Sequence, residues 1–297
     1  MKLVGLLLAV AAASAVAGPA LGQGNLCMQL AGTPHTQPSP EAVEGATAHV
    51  FRSVDGVDLR LHVLEPDGPA AADRPAVLFF FGGGWMIGAV TDFAPQAAYV
   101  AERGAVAILA DYRTFCRNGV DVVDEVADAG AAVSWVRGHA QELGIDPARI
   151  AVVGGSAGGH LALSTAVFPL DGEEEAGSAK PDLLVLFYPC VDTTAAEEMA
   201  FSRDAIAARG AEVSPLQHLR PGLPPTIIFQ GTDDYLQEQN VRFCDAAKAN
   251  GDACELVVYE GAPHGFFNAA RGSDWYPGAL AGMDEFLTRS GYLPPKG

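Results

Sequence analysis

Residues 150 to 163 read Ile150-Ala151-Val152-Val153-Gly154-Gly155-Ser156-Ala157-Gly158-Gly159-His160-Leu161-Ala162-Leu163. Four apolar residues, three of them β-branched, make a strand that is apolar on both faces. A G-x-S-x-G turn follows, and residues 161 to 167 have helical composition. Strand, sharp turn and helix in that order form an elbow that holds a serine hydroxyl clear of the chain. Glycines two positions either side of Ser156 suit this turn, because a β-carbon there would press on the neighbouring strand and helix. The hydroxyl then lies at a helix N-terminus, whose dipole favours developing negative charge. A chance match in a chain with 34 glycines is the alternative, and the flanking strand and helix weigh against it.

On either side of the elbow, further runs apolar on both faces alternate with helical patterns, at 76–81, 106–110, 183–187, 226–230 and 255–259. That alternation predicts an α/β architecture, a mostly parallel sheet with helices on both faces. Between 49 and 64, two β-prone stretches flank Asp55-Gly56, a dipeptide suited to the positive φ angles of a tight turn, which predicts an antiparallel hairpin at the sheet edge. Val122, Val126, Ala129, Val133 and Val136 recur at three- and four-residue spacing. They predict one helix over 120–143, stopped by Gly144, with Asp146-Pro147 turning into the elbow strand. The acidic stretch 171–180 reads as a solvated loop, and 192–220, a long connection without a clear strand, as a small lid beside the site. No internal repeat is evident.

A chain of 297 residues, 49% hydrophobic and 18% charged, can bury one substantial core. One catalytic domain is expected over 48–297, preceded by an extended arm at 23–47 rich in Pro, Gly, Ser and Thr. Lys2, the apolar run 3–10 and the small residues up to Gly22 resemble a signal peptide over 1–22, cleaved after Ala17 or Gly22, so the protein is expected to be exported. A retained anchor is the alternative, but the run is short and diluted by Ala and Gly. The formal charge of −18 repels phosphate backbones and argues against nucleic acid or an anionic membrane surface as partners. Of the five cysteines (Cys27, Cys116, Cys190, Cys244 and Cys254), an oxidising compartment would leave at least one outside any pair in a monomer. Cys27 lacks the small-residue context of a lipid-modified cysteine. Cys244 and Cys254 are the expected disulfide, because the first falls in a helix and the second just before the strand that helix packs on; two buried thiols are the alternative.

Attack by Ser156 on an acyl carbon would need fixed donors for the oxyanion. Phe79-Phe80-Phe81-Gly82-Gly83-Gly84-Trp85 supplies them, a buried strand running into three glycines whose N–H groups no side chain hides. The segment lacks the Lys-Ser/Thr ending of a P-loop, and Ile87 stands where a dinucleotide fingerprint needs its third glycine. A bland flexible turn is the remaining reading. Of seven histidines, His264 sits in a loop after the last strand, at the sheet edge where ligands gather. His160 lies on the elbow's own helix and reads as a packing residue. The acid that orients His264 should follow the preceding strand, where Asp233 and Asp234 are adjacent. No cofactor or metal motif is present.

Taken together, FGGGW at 81–85, Asp111-Tyr112-Arg113, GGSAGG at 154–159, GTDD at 231–234 and HGFFN at 264–268 resemble the acetyl-esterase/hormone-sensitive-lipase-like branch of the α/β-hydrolase superfamily. The likeness covers nearly everything from about residue 48. It implies the α/β-hydrolase fold, a triad of Ser156, Asp234 and His264, oxyanion donors at Gly83, Gly84 and Ala157, and structural support from Asp111, Tyr112 and Arg113. Two departures stand out. Phe81 replaces the motif histidine, and only about 25 residues separate the predicted cleavage site from the first strand, so the N-terminal cap of lipase-like members is missing. The short cap and the bulk of Trp85 at the substrate cleft imply acyl groups of at most about four carbons, on a small soluble or carbohydrate-borne ester. A serine peptidase of the same fold, or an inactive binding protein, are the competing readings.

Overall fold

The computed structural model describes residues 24–67, 72–169, 179–194, 202–206 and 208–296. The predicted signal segment and most of the acidic stretch 171–180 lie outside them. Among the described residues, eight strands form one sheet in the order β1-β2-β4-β3-β5-β6-β7-β8: β1 Thr47–Val54, β2 Val57–Leu64, β3 Arg74–Phe80, β4 Val106–Ala110, β5 Ile145–Gly155, β6 Leu183–Phe187, β7 Thr226–Asp233 and β8 Cys254–Pro263. β1 and β2 pair antiparallel, β2 meets β4 antiparallel, and β4 through β8 are parallel. The hairpin turns at Asp55 and Gly56, with φ of 52° and 77°, the positive angles that the dipeptide was chosen to supply. Helices pack around the sheet: α1 Gly24–Leu30, α2 Ala94–Glu102, α3 Phe115–Asn118, α4 Val122–Gly138, α5 Ala140–Leu143, α6 Ala157–Val167, α7 Arg203–Ile206, α8 Pro215–His218, α9 Gln237–Ala249 and α10 Tyr276–Arg289. The central strands are buried on both faces, as Val77, Leu78, Val152, Val153, Leu184, Val185 and Ile228 show with no exposed area. Burial of that kind needs cover on both sides, which is why these strands carry no alternation.

Five elements differ from the sequence pattern. The helix expected over 120–143 breaks at His139, whose ring stacks on Trp135 at 3.9 Å and whose Nδ1–H donates to the Trp135 carbonyl at 2.8 Å. The Trp135 carbonyl also accepts from His139 N at 2.9 Å, so this last turn is bonded by both backbone and side chain. The turn expected at Asp146-Pro147 is absorbed into β5 as an irregularity, since Arg74 faces Ile145 while Ala76 faces Ile150. β7 and β8 each run past the apolar stretch, to Asp233 and Pro263. The arm expected to be extended instead contains α1 and a 3-10 turn at Pro34–Thr36. A second disulfide, Cys27–Cys116, ties this arm to α3 with Cα atoms 5.2 Å apart. The expected Cys244–Cys254 disulfide is present, Cα atoms 5.5 Å apart, and the buried Cys190 belongs to neither.

Candidate active site

Parallel strands all point their carboxyl ends to one edge, and the segments after β3, β5, β7 and β8 meet there. At the end of β5, Ser156 takes φ 55° and ψ −120°, a strained geometry for a residue with a β-carbon. It is tolerated because the surroundings over-determine it. A Cβ on Gly154 would strike the Gly158 carbonyl, and one on Gly158 would strike the carbonyl oxygens of Phe80 and Phe81. The Ser156 N–H donates to the Phe187 carbonyl at 2.9 Å, and the Ser156 carbonyl accepts from His160 N at 3.0 Å. The hydroxyl is left half-buried beside His264.

The Ser156 hydroxyl lies 2.9 Å from His264 Nε2, and His264 Nδ1 lies 2.9 Å from Asp234 Oδ2. With Nδ1–H donating to the carboxylate, Nε2 is the acceptor for the serine proton. The Asp234 carboxylate has no exposed area, and its other oxygen accepts from Leu236 N at 2.9 Å. Asp233, one residue earlier, is exposed, as expected of successive residues leaving a strand. The loops bearing Asp234 and His264 converge because Gly231 lets β8 approach: a Cβ there would collide with the Ala262 carbonyl.

The glycine loop packs on the elbow, where a Cβ on Gly82 would come within 3.4 Å of Ser156 Cβ. Gly83 and Gly84 have φ of 133° and 60°. Their N–H groups, and that of Ala157 at the first position of α6, donate to no protein acceptor among the described residues. Donors left open beside a nucleophile can take an oxyanion. Phe81, in place of the motif histidine, stacks on Tyr112 with ring centroids 4.0 Å apart, and the Tyr112 hydroxyl donates to the Phe81 carbonyl at 2.7 Å. The loop is thus anchored without an imidazole. Arg113 adds a fork onto Asp128, with Nε and Nη2 at 2.8 and 3.1 Å, and Arg117 pairs with Asp111 at 2.8 Å. These residues are structural.

Trp85 corrects one expectation. It has 1% exposure and faces the interior rather than a substrate cleft, packed edge-on with the His160 ring at 5.2 Å between centroids. Its indole N–H donates to His160 Nδ1 at 3.3 Å, and His160 Nε2–H donates to the Val213 carbonyl at 2.8 Å. Burial pushes the His160 imidazole down to about 4, against a smaller opposing effect of the Val213 carbonyl, so the ring is neutral. The glycine loop, the elbow helix and the connection after β6 are joined through it. The turn at Gly210–Val213 in that connection is held to α6 by this bond, and α8 is tied within the connection by Leu216 N donating to the Val191 carbonyl at 2.8 Å. Of the segment expected as a lid, residues 195–201 and 207 lie outside the described residues.

Sequence reading missed two neighbours of His264. Tyr188, with φ 40° just after β6, stands edge-to-face with the imidazole at 4.8 Å between centroids, and Tyr235, beside Asp234, lies tilted at 5.0 Å. Neither carries a motif; a tyrosine directly after the orienting acid was the available signal. Gln96 of α2 holds the histidine loop by donating to the Phe267 carbonyl at 3.0 Å. A cavity of about 350 Å³ between α10 and the β7–β8 edge, lined by Phe229, Tyr259, Gly282 and Phe286, contains none of these residues. No cluster of three or more His, Cys, Asp or Glu side chains able to hold a metal occurs among the described residues.

A family model described as alpha/beta hydrolase fold matches residues 77–268. In its native form, a thermophilic esterase from the planctomycete Thermogutta terrifontis is 44% identical, with a TM-score of 0.80 over 88% of this chain and 98% of that one. Its propionate-bound form gives 0.78 over 86% and 97%. Carboxylesterase NlhH of Mycobacterium tuberculosis is 30% identical over 247 residues, 73% of this chain and 74% of that protein. A probable isoprenylcysteine alpha-carbonyl methylesterase of Arabidopsis thaliana is 29% identical over 217 residues, 64% of this chain; the match spans only 45% of that longer protein. The chain therefore belongs to the alpha/beta hydrolase fold family, in its acetyl-esterase/hormone-sensitive-lipase-like branch of carboxylic ester hydrolases.

Proposed function

We propose that this chain hydrolyses short-chain carboxylic esters through an acyl-enzyme on Ser156. The observation that carries the reading is the unbroken hydrogen-bonded series Ser156, His264 and Asp234, 2.9 Å at each step. Ser156 Oγ attacks the carbonyl carbon while its proton passes to His264 Nε2. The carbonyl oxygen becomes an oxyanion held by the N–H groups of Gly83, Gly84 and Ala157. Buried Asp234 stabilises the imidazolium, which returns the proton to the alcohol oxygen as the carbon–oxygen bond breaks. Water then gives a proton to His264 and attacks the acyl carbon; the acid departs, and Ser156 Oγ regains its proton.

A short acyl group is supported by the Thermogutta terrifontis esterase, solved with propionate and with butyrate bound; Trp85, which is buried, does not bear on it. Export to the periplasm or the extracellular space is our reading from the amino-terminal segment and from two disulfides, bonds that persist in oxidising compartments; a carbohydrate-borne ester rests on the family resemblance and on that location. Ser156→Ala should lower turnover of 4-nitrophenyl acetate on the order of a million-fold with the fold intact by circular dichroism. Near-wild-type activity in that variant would refute the nucleophile. Cleavage of a labelled peptide in preference to the ester would favour a peptidase, and no turnover of either by the wild type would favour a binding protein.

A further inference from the structure

We propose that Tyr235 forms the subsite for the alcohol part of the ester and selects alcohols that carry a flat-faced ring over short open-chain ones. The inference rests on the acyl-enzyme reading above. Asp234 turns inward and its Oδ1 accepts from Leu236 N at 2.9 Å. That tight turn pushes the intervening Tyr235 outward, where it is 57% exposed. Its ring stays 5.0 Å from the His264 ring, tilted by 41°. Tyr188, whose ring stands edge-to-face with the same imidazole, is buried.

The carbonyl oxygen of a bound ester must face the glycine loop, and the leaving oxygen must face His264 Nε2 to receive its proton. A group attached to the leaving oxygen therefore emerges past the imidazole and meets the exposed ring beside it. Among the described residues, the other large apolar side chains that are strongly exposed are Met28, Val50, Val241 and Val258, so Tyr235 is the aromatic of that set. Single exposed apolar residues are ordinary on a protein surface. It is the position of this one, next to the proton donor, that gives it a role. An aromatic face offers dispersion contact and a negative quadrupole to the axial C–H bonds of a pyranose or the edge of an aryl ring. A two-carbon alcohol is too small to cover it.

The test compares acetates that differ only in the alcohol: ethyl acetate, phenyl acetate and a monoacetylated methyl xylopyranoside, with wild type, Tyr235→Ala and Tyr235→Phe. Tyr235→Ala should lower kcat/KM for the two ring acetates by about three- to tenfold more than for ethyl acetate, mainly through KM. Tyr235→Phe should keep the wild-type ratios. A selective loss on one ring acetate alone still supports the subsite and identifies the ring class it takes. An equal loss on all three substrates would make Tyr235 a support for His264 and overturn the proposal, as would unchanged ratios. Failure of the wild type on every acetate would instead refute the ester-hydrolase reading itself.

Discussion

Two adjacent carboxylates at the end of β7 show how much a single position decides. Asp234 is buried against His264 while Asp233 faces solvent, so their amides should behave differently. Asp234→Asn keeps the shape but admits the wrong imidazole tautomer, and turnover should fall by three to four orders of magnitude, roughly as in other triads. Asp233→Asn should cost less than about tenfold; the reverse ranking in steady-state kinetics would move the orienter by one residue. His160 gives a second residue-scale expectation. Its folded value is depressed to about 4, so between pH 6.5 and 4 the unfolded chain binds a proton that the native state does not, and stability falls as the pH is lowered through that window. The loss should approach roughly 3 kcal/mol by pH 4 and be absent in His160→Asn and His160→Leu, as read by urea unfolding at a series of pH values. The two variants should then part company in activity. Asn offers Oδ1 to the Trp85 indole, whereas Leu leaves that N–H buried without an acceptor, costs about 1–3 kcal/mol and loosens the oxyanion loop, so kcat should fall further in the leucine variant.

At the scale of elements, the elbow works because β5 and α6 crowd against β3. Gly158 approaches the Phe80 and Phe81 carbonyls so closely that any Cβ must displace backbone rather than a side chain. Gly158→Ala should therefore destabilise by about 1–3 kcal/mol and misplace Ser156. The control is Gly278 of α10, where an added Cβ meets only the Tyr259 ring at 3.5 Å. There alanine should be neutral, or stabilising by up to about 1 kcal/mol, because glycine is a poor helix former. Thermal unfolding of both variants with turnover measured alongside decides the comparison; equal effects at the two glycines would mean that close packing does not shape the elbow. Helix boundaries teach the converse lesson. The apolar periodicity from Val122 onward indicated a helix, but the helix ends at His139, where the backbone leaves helical angles and the ring stacks on Trp135, a local detail that periodicity does not encode.

On the scale of the whole molecule, two disulfides close loops of very different length. Cys27 and Cys116 are 89 residues apart, Cys244 and Cys254 only 10. On the chain-entropy account, the first should stabilise by about 4–5 kcal/mol and the second by about 2–3 kcal/mol. Paired Cys→Ser variants compared by chemical denaturation should preserve that order. The longer link also matters for the site, since the Gly88 N–H donates to the His35 carbonyl at 3.1 Å and Arg117 donates to Ser39 Oγ at 2.9 Å. The arm is thereby docked against the segment that follows the glycine loop. Fold class, strand positions, the hairpin turn and the elbow were legible in the sequence because each is a local pattern: a run apolar on both faces, a dipeptide that accepts positive φ, a glycine two places from a serine. Ser156, His264 and the pair of candidate acids were legible for the same reason, each sitting at a recognisable strand end. Tertiary structure alone decided which acid turns inward, that Trp85 is buried on His160, that Tyr188 and Tyr235 flank His264, and that Cys27 reaches Cys116. Those outcomes depend on the direction a side chain takes and on which distant segment packs against it, and neither quantity is written in any stretch of adjacent residues.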